Sequence, residues 1–392
     1  MARFQYGGQA LIEGVLMRGR NAVAVALRHP DGSIVWASER LDAGLRAHRI
    51  FRLPFLRGLV VLYDTLVTGT RWLVRAATMQ AAAILAEEAL ADSGPGHSAT
   101  SGRIWSADSA PADGNAADAQ RGPDSDLTTD TVADAVPAAG ASSGSTGRPK
   151  GGSQEGLGKG FGMAVGVMLL LSLLAGIGIF FLVPLLLAQA TVGRVDRGFG
   201  LQLSEGLIRV AIFIGYLMLT ARAPDLRRVY QYHGAEHMSI HALEAGDPLT
   251  TDAVRRYPTA HPRCGTEFLV VVLLVSIVAF ALIGNLPPLL LVASRVALVP
   301  VIAAVSYELL QLGARHRSHA IVRWLWSPGI WVQKITTRQP TDDMIEVAIV
   351  SLQRALLADG AEIPAGSAVI PSRPLSPDEA EGDAPLPAEA AS

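Results

Sequence analysis

Four blocks of apolar residues constrain the fold of this chain most strongly, because each could cross a lipid bilayer. A helix of ~20 apolar residues spans the hydrocarbon core of a membrane. The blocks occupy residues 161–190, 207–220, 268–283 and 289–310. Only 17% of the 392 residues are charged, whereas soluble domains carry about 25%. The sequence therefore predicts a mainly α-helical membrane protein with about four transmembrane helices.

Two arginines lie within the predicted spans. The second block, residues 207–220, is too short to cross a membrane unless its helix begins around Leu201 and Arg209 snorkels to the surface. Arg295 lies within the fourth block. Apart from these two side chains the interiors of the spans hold few ionisable residues, which argues against a transporter.

The loops between the blocks differ in their content of Lys and Arg. Residues 221–267 carry six and residues 313–340 carry five, whereas residues 191–206 carry two. Positively charged loops stay on the cytoplasmic side. We therefore predict a multi-pass protein of the inner (cytoplasmic) membrane, with both termini and loop 221–267 cytoplasmic. The chain has no dense basic run and no aromatic ladder, so it shows no sign of nucleic-acid binding.

The part of the chain before the first block is predicted to hold strands and a helix. Residues 1–52 are predicted to form a small soluble segment with a β-hairpin, because two alternating stretches flank turn residues at 29–33. The glycine-rich residues 7–14 form either a tight loop on this hairpin or part of a functional site. Residues 53–91 are predicted to form an amphipathic helix in the membrane interface, with a helix that covers the hairpin as the alternative. Four charged residues lie near one face of this helix: Arg57, Asp64, Arg71 and Arg75.

Two segments are predicted to be disordered. Residues 92–156 and 358–392 are rich in Ala, Pro and acidic residues, a composition that cannot bury a core. Residues 157–357 form the predicted transmembrane domain, which includes loop 221–267. Toward its end, residues 342–357 have the spacing of a short amphipathic helix.

Loop 221–267 concentrates side chains that bind metals. It holds four of the nine histidines and the only cysteine: His233, His237, His241, His261 and Cys264. His233 and His237 are four residues apart, so a helix would bring both rings to one face, within reach of one ion. With Glu236 they form the H-x-x-E-H pattern of the inverzincin metalloproteases. In such sites a bound Zn²⁺ lowers the pKa of its water toward ~7, and the carboxylate accepts the proton.

A third and a fourth metal ligand must come from outside this pattern. His241 continues the stripe, but it lies about 12 Å from His233 along a helix axis, too far to share one ion. His261 and Cys264 are therefore the predicted additional ligands. Four further side chains stay open as members of the site: His241, Glu244, Glu13 and Glu308. The alternative is that the histidines only form hydrogen bonds and that Cys264 is a small buried apolar side chain.

Five short motifs resemble the YqhQ-like family of bacterial membrane proteins. They are GGQALIEGV at residues 7–15, LPFLRG at 53–58, YHGAEH at 232–237, HPRCGT at 261–266 and SYE at 306–308. The family is of unknown function and is catalogued as predicted metal-dependent enzymes. The resemblance extends from Tyr6 to about Leu357. It implies that the His, Glu and Cys motifs form one site, and it implies no substrate.

The sequence supports two hypotheses on function. In the first, the protein is a metal-dependent enzyme, a hydrolase that acts at the cytoplasmic membrane surface on a lipid-like or membrane-peptide substrate. His233, His237, His261 and Cys264 bind a divalent metal, zinc by donor type, and Glu236 is the catalytic base. In the second, the protein is a non-enzymatic scaffold or assembly factor with a structural metal or a hydrogen-bonded His/Cys site. The lipid bilayer is the predicted partner in both, and the oligomeric state stays open.

Overall fold

The computed structural model describes most of the chain outside the two acidic segments. The described residues are 6–41, 50, 53–92, 167–168, 170–193, 199–262, 264–283, 286–316 and 319–376. The predicted linker at 92–156 lies outside them from residue 93 onward, and so do residues 377–392 of the predicted tail.

A sheet of five strands lies near the N-terminus. Its strands are β1 (Gly7–Leu11), β2 (Gly14–Arg18), β3 (Ala22–Arg28), β4 (Ile34–Arg40) and β5 (Arg373–Pro374). The first four form an antiparallel meander, and β5 pairs in parallel with β4. The predicted hairpin is therefore only the β3–β4 half of this meander. The glycine-rich residues 7–14 form its first strand and a turn that holds Glu13 at a φ of 54°.

The helices include three that are long and apolar enough to cross a membrane. All the helices of the described residues, in chain order, are α1 (Leu56–Asp92), α2 (Leu170–Thr191), α3 (Phe199–Thr220), α4 (Pro224–Ala245), α5 (Thr251–Val254), α6 (Gly265–Ile283), α7 (Pro288–Ala297), α8 (Val299–Arg315), α9 (Ala320–Thr336) and α10 (Asp342–Ala358). Among the described residues, α2, α3 and α6 are the three candidate spans, and α7 with α8 is a fourth if this pair counts as one.

The fourth predicted span, residues 289–310, is a bent pair rather than one continuous helix. Helices α7 and α8 meet at an angle of 41°. Pro300 lies two residues after the break at Leu298, in the first turn of α8. Proline lacks a backbone N–H and its ring clashes with the preceding turn, so a helix cannot pass through it undisturbed.

The sheet lies between two layers of helices. On one face, Trp72 and Ala76 of α1 pack against apolar side chains of the strands. On the other face lie α4 and α10, and the hydroxyl of Ser351 on α10 donates to the backbone oxygens of Val15 and Ala24. The N-terminal strands are therefore not a separate soluble segment. Both of their faces are apolar and need helices from later in the chain.

The C-terminal part is more buried than its composition predicts. Helix α10 agrees with the predicted helix at 342–357, but it is buried on nearly every side. The chain after α10, which the sequence predicts to be disordered, has a defined path as far as residue 376. Ile363 and Ile370 pack against the core, and the Gln353 side chain donates to the backbone oxygen of Ala368 at 2.9 Å. Two isoleucines thus anchor an otherwise polar segment.

Helix α1 turns its charged stripe toward the protein and an apolar stripe outward. Each charged residue of the predicted stripe forms an ion pair: Arg57 with Glu308, Asp64 with Arg18, and both Arg71 and Arg75 with Glu39. Large apolar residues are exposed on the other side: Tyr63, Leu66, Val67, Leu73 and Ile84. Helix α1 therefore covers the sheet, as the alternative prediction for residues 53–91 states. The exposed stripe also suits a membrane surface, and the interfacial position stays a prediction.

A buried ionic network joins the candidate spans. Glu205 of α3 accepts hydrogen bonds from Arg209 at 2.5 Å and from Arg295 of α7 at 2.6 Å, and all three residues are at most 2% exposed. Arg209 therefore does not snorkel. It lies between the helices because Glu205, one turn before it, supplies an opposite charge there. The ring of Phe280 lies 4.9 and 4.2 Å from the two guanidinium carbons.

Candidate metal centre

Helix α4 carries the H-x-x-E-H pattern and brings both of its histidines to the segment before α6. The helix begins with Pro224 in its first turn and ends at Gly246, whose φ of 82° suits a helix terminus. Nε2 of His233 lies 3.1 Å from Sγ of Cys264. The ligating atoms of His233, His237 and Cys264 all lie within 4.8 Å of one another. We call these three residues, which are three of the four predicted ligands, the first group.

Backbone carbonyl groups orient the two histidines of the first group. Nδ1 of His233 lies 2.9 Å from the oxygen of Thr336, and Nδ1 of His237 lies 2.6 Å from the oxygen of Thr259. Because a carbonyl only accepts, each Nδ1 carries the proton and each Nε2 keeps its lone pair. Metal-binding histidines in proteins are fixed in this way by their second nitrogen. Both rings are therefore prepared to coordinate through Nε2.

Cys264 lies at the start of α6 and is 7% exposed. Its sulfur accepts hydrogen bonds from the backbone N–H and the hydroxyl of Thr266, at 3.4 and 3.2 Å. Cys264 lies at the N-terminal end of α6, and both of these donors come from the first turn of that helix. The thiolate is the form of cysteine that binds metals. Cys264 therefore has polar partners on both sides, His233 and Thr266.

Glu236 lies beside the first group and is 3% exposed. Its Oε2 is 3.5 Å from Nε2 of His237, and its carboxylate accepts a hydrogen bond from the backbone N–H of Gly8. Burial raises the pKa of Glu236 to about 7, against the opposing effects of His233 and of the Gly8 hydrogen bond. A carboxyl group with a pKa near neutrality can accept and release a proton under physiological conditions.

Gly8 is expected to be essential for the position of Glu236. A Cβ at this residue would lie 2.5 Å from the backbone oxygen of Leu16 and 2.8 Å from Cγ of Glu236. We expect Gly8→Ala to lower the free energy of unfolding by about 1–3 kcal/mol, measured as a lower melting temperature in detergent. Gly7→Ala is the matched control, because a Cβ there meets open space. Equal melting temperatures for the two variants would contradict the contact.

His261, the fourth predicted ligand, lies in a second group with His241 and Glu244. Its Nε2 is 3.3 Å from Oε2 of Glu244, and its ring centre is 4.5 Å from that of His241. Its ring centre is also 5.7 Å from that of His237, so the second group adjoins the first. Burial lowers the pKa of His261, which keeps its ring neutral at neutral pH. The structure thus divides the predicted site into two neighbouring groups.

Glu13 and Glu308 pair with arginines instead of joining either group. Glu13 accepts two hydrogen bonds from Arg228, at 2.5 and 2.6 Å, and a third from the hydroxyl of Tyr232 at 3.2 Å. Glu308 is paired with Arg57. Glu13 therefore fastens the first hairpin onto α4. The glycine-rich motif contributes to the site through this support and through Gly8.

Several residues that hold the ligands in place leave little signal in the sequence. Thr259 and Thr336 act through backbone oxygens, which every residue possesses. Gln333 accepts a hydrogen bond from the backbone N–H of His261 at 2.9 Å, yet it resembles any polar residue of a helix. Gly234 gives a clearer signal, since glycine inside a helix is otherwise unfavourable. A Cβ there would overlap a backbone oxygen of the segment after α9.

The donors of the first group fit a zinc ion. Imidazole nitrogen and thiolate sulfur are ligands that Zn²⁺ prefers. Three protein ligands leave the fourth position of a tetrahedral ion for water or substrate, as in catalytic zinc sites, whereas structural sites have four. The arrangement therefore fits a catalytic metal more closely than a structural one.

Comparison with known proteins identifies the family. The family described as "Protein of unknown function (DUF1385)" matches residues 53–358, from α1 to α10. The chain is 27% identical over 351 residues to "Uncharacterized protein YqhQ" of Bacillus subtilis (strain 168), an alignment that covers 90% of this chain and 92% of that protein. No solved structure matches the chain. The chain therefore belongs to the DUF1385 family, and its similarity to YqhQ agrees with the resemblance of its motifs.

Proposed function

We propose that this protein is a membrane-bound hydrolase that depends on a divalent metal ion, zinc by its donors. His233, His237 and Cys264 bind the ion, and Glu236 is the general base. The observation that carries the proposal is the geometry of the first group, whose ligating atoms lie within 4.8 Å of one another while both Nδ1 atoms donate to carbonyl groups. A zinc ion held there would polarise a carbonyl or phosphoryl oxygen and acidify a water molecule. The buried carboxylate of Glu236 accepts the proton of the attacking water.

The number of ligands favours an enzyme over a scaffold with a structural metal. The first group supplies three ligands, and His261, the predicted fourth, lies against Glu244 instead. A structural site needs neither an open coordination position nor a buried carboxylate beside it. A non-enzymatic assembly factor is the competing proposal, and replacement of Glu236 separates the two.

The packing of the sheet supports four membrane crossings. The strands in residues 6–41, helix α4 and helix α10 share one core, so all three must lie on one side of a membrane. Helices α2 and α3 return the chain to its starting side before α4. Helix α6 and the pair α7–α8 must then make two further crossings, because a single crossing would separate α10 from α4. We therefore propose four spans in the inner membrane, with the termini and both ligand groups on the cytoplasmic side, where basic loops are expected.

An apolar groove supports a lipid-like substrate. The groove has a volume of about 440 Å³ and lies between α6, α8 and α9. Apolar side chains of all three helices line it, among them Val271 of α6 and Trp326 of α9. Val271 follows Cys264 by two turns of α6, about 10 Å along the helix axis. An acyl chain in the groove would bring its head group toward the first group. A membrane peptide is the alternative substrate.

Metal content tests the proposal. We expect purified protein to contain zinc and the variant His233→Ala/His237→Ala to lose about one equivalent per chain, because two of three ligands are gone. Elemental analysis of the detergent-purified protein measures the loss. The matched control is His316→Ala/His319→Ala, which removes two histidines that belong to neither group. A wild-type protein without metal, or a folded His233→Ala/His237→Ala variant with unchanged metal content, would refute the proposal.

A further inference from the structure

We propose that the second group, formed by His241, Glu244 and His261, binds a second divalent transition-metal ion. The ligating atoms of these three residues lie within 4.8 Å of one another. Nε2 of His261 is 3.3 Å from Oε2 of Glu244, and the ring centres of the two histidines are 4.5 Å apart. A hydrogen bond between His261 and Glu244 would not need the second imidazole. The convergence of all three donors is the arrangement that a metal ion requires.

The rings of the second group are held in place by other residues. Nε2 of His241 lies 3.0 Å from the backbone oxygen of Ala260, so it donates its proton there and Nδ1 keeps the lone pair. The His241 ring also stacks on Tyr257, with 5.9 Å between centres and 8° between planes. The Tyr257 hydroxyl in turn donates to Asp247 at 2.7 Å. His261 is buried. Such outer contacts orient metal ligands before an ion arrives.

The donors of the second group differ from those of the first. Two imidazoles and a carboxylate, without sulfur, suit Zn²⁺ and also Fe²⁺ or Mn²⁺. Glu244 is exposed near the end of α4, whereas Cys264 in the first group is buried. We therefore expect the second ion to exchange faster and to be removed first by a chelator.

The two groups are separate but adjacent. They share no residue, and the ring centres of His237 and His261 are 5.7 Å apart. Helix α4 imposes the separation, since His233, His237 and His241 follow each other by about 6 Å along its axis. A second cation there would draw an anionic part of a substrate, such as a phosphate or carboxylate, toward Glu236. This consequence rests on the proposed function, whereas binding of the second ion does not.

Zinc titration of the full-length, metal-stripped protein in detergent tests the second site. We expect about two equivalents of Zn²⁺ per wild-type chain, and about one for each of the variants His241→Ala/Glu244→Gln and His233→Ala/His237→Ala. If the wild-type chain binds a single equivalent and His241→Ala/Glu244→Gln still binds it, the second group is only a hydrogen-bonded cluster. Should this double variant fail to fold, Glu244→Gln alone, which leaves both histidines in place, must weaken or remove one equivalent.

Cobalt(II) distinguishes failure at the second group from failure at the first. A thiolate ligand gives Co²⁺ a charge-transfer band in the near ultraviolet, which nitrogen and carboxylate ligands do not give. The band should persist in His241→Ala/Glu244→Gln and disappear in Cys264→Ser. Loss of one equivalent from His241→Ala/Glu244→Gln, with no such band in any of the proteins, would overturn the proposed function while supporting the second site. Unchanged cobalt binding in that variant would overturn the second site alone.

Discussion

Glu205→Ala is expected to destabilise the protein by about 3–5 kcal/mol, because it leaves two buried arginines without a counter-ion. In the wild-type protein Glu205 accepts hydrogen bonds from both Arg209 and Arg295, and none of the three is more than 2% exposed. Two guanidinium groups and one carboxylate give the network a charge of +1, which the substitution raises to +2. The melting temperature in detergent, followed by circular dichroism, measures the loss.

Two further variants separate loss of charge from loss of packing. Glu205→Gln/Arg295→Met returns the network to a charge of +1, so it should regain part of the stability that Glu205→Gln alone loses. Ser204→Ala is the control on the same helix, because within the described part of the chain the Ser204 hydroxyl donates to the backbone oxygen of Leu201 and belongs to no ion pair. We expect this control to cost about 1 kcal/mol or less. Equal melting temperatures for Glu205→Ala and Ser204→Ala would mean that the network does not stabilise the protein.

Glu236→Gln is expected to abolish hydrolysis while leaving the metal and the fold in place. A general base contributes about 100- to 10,000-fold to a rate, and an amide cannot take its place. Glutamine keeps the size of the side chain and can still accept the hydrogen bond from Gly8. Zinc content should stay at the wild-type level, because Glu236 is not among the residues of the first group.

Hydrolysis of bacterial membrane lipids and of membrane peptides, followed by mass spectrometry of the products, provides the assay for this variant. The matched control is Glu362→Gln, which changes an exposed carboxyl group. If Glu236→Gln and Glu362→Gln both hydrolyse at the wild-type rate, Glu236 is not the base. If the wild-type protein binds metal and hydrolyses none of these substrates, the result favours the assembly factor.

The local pattern was sufficient to predict two of the candidate spans and the helix that carries His233 and His237. Residues 207–220 and 268–283 lie within α3 and α6, as their mostly apolar side chains predict. The spacing of four residues likewise predicts that His233 and His237 share a helix face. The same spacing indicates that His233 and His241 cannot share one ion, and the structure puts them in different groups.

Partners that are distant in sequence could not be predicted from such patterns. The sequence pattern puts Glu205 in the loop before the second span, so Arg209 is predicted to snorkel to the surface. Arg295, the other partner of Glu205, lies 90 residues further along the chain. His261 and Cys264 are close in sequence and yet belong to different groups. The spacing of residues in the sequence predicts which side chains are neighbours on one helix, but it does not predict the path of a loop.

The core that joins both ends of the chain limits how early the protein can finish folding. Ser351 bonds to the backbone of Ala24, 327 residues before it. A ribosome adds roughly 5–20 residues per second, so β3 is complete about 15–65 s before its partner on α10 exists. During this interval the strand face that α10 covers in the finished protein stays open, and chaperones can bind it. A chain released before α10 is made lacks the helix that packs against both α4 and the sheet, so ribosome stalling before α10 would yield protein with an incomplete core.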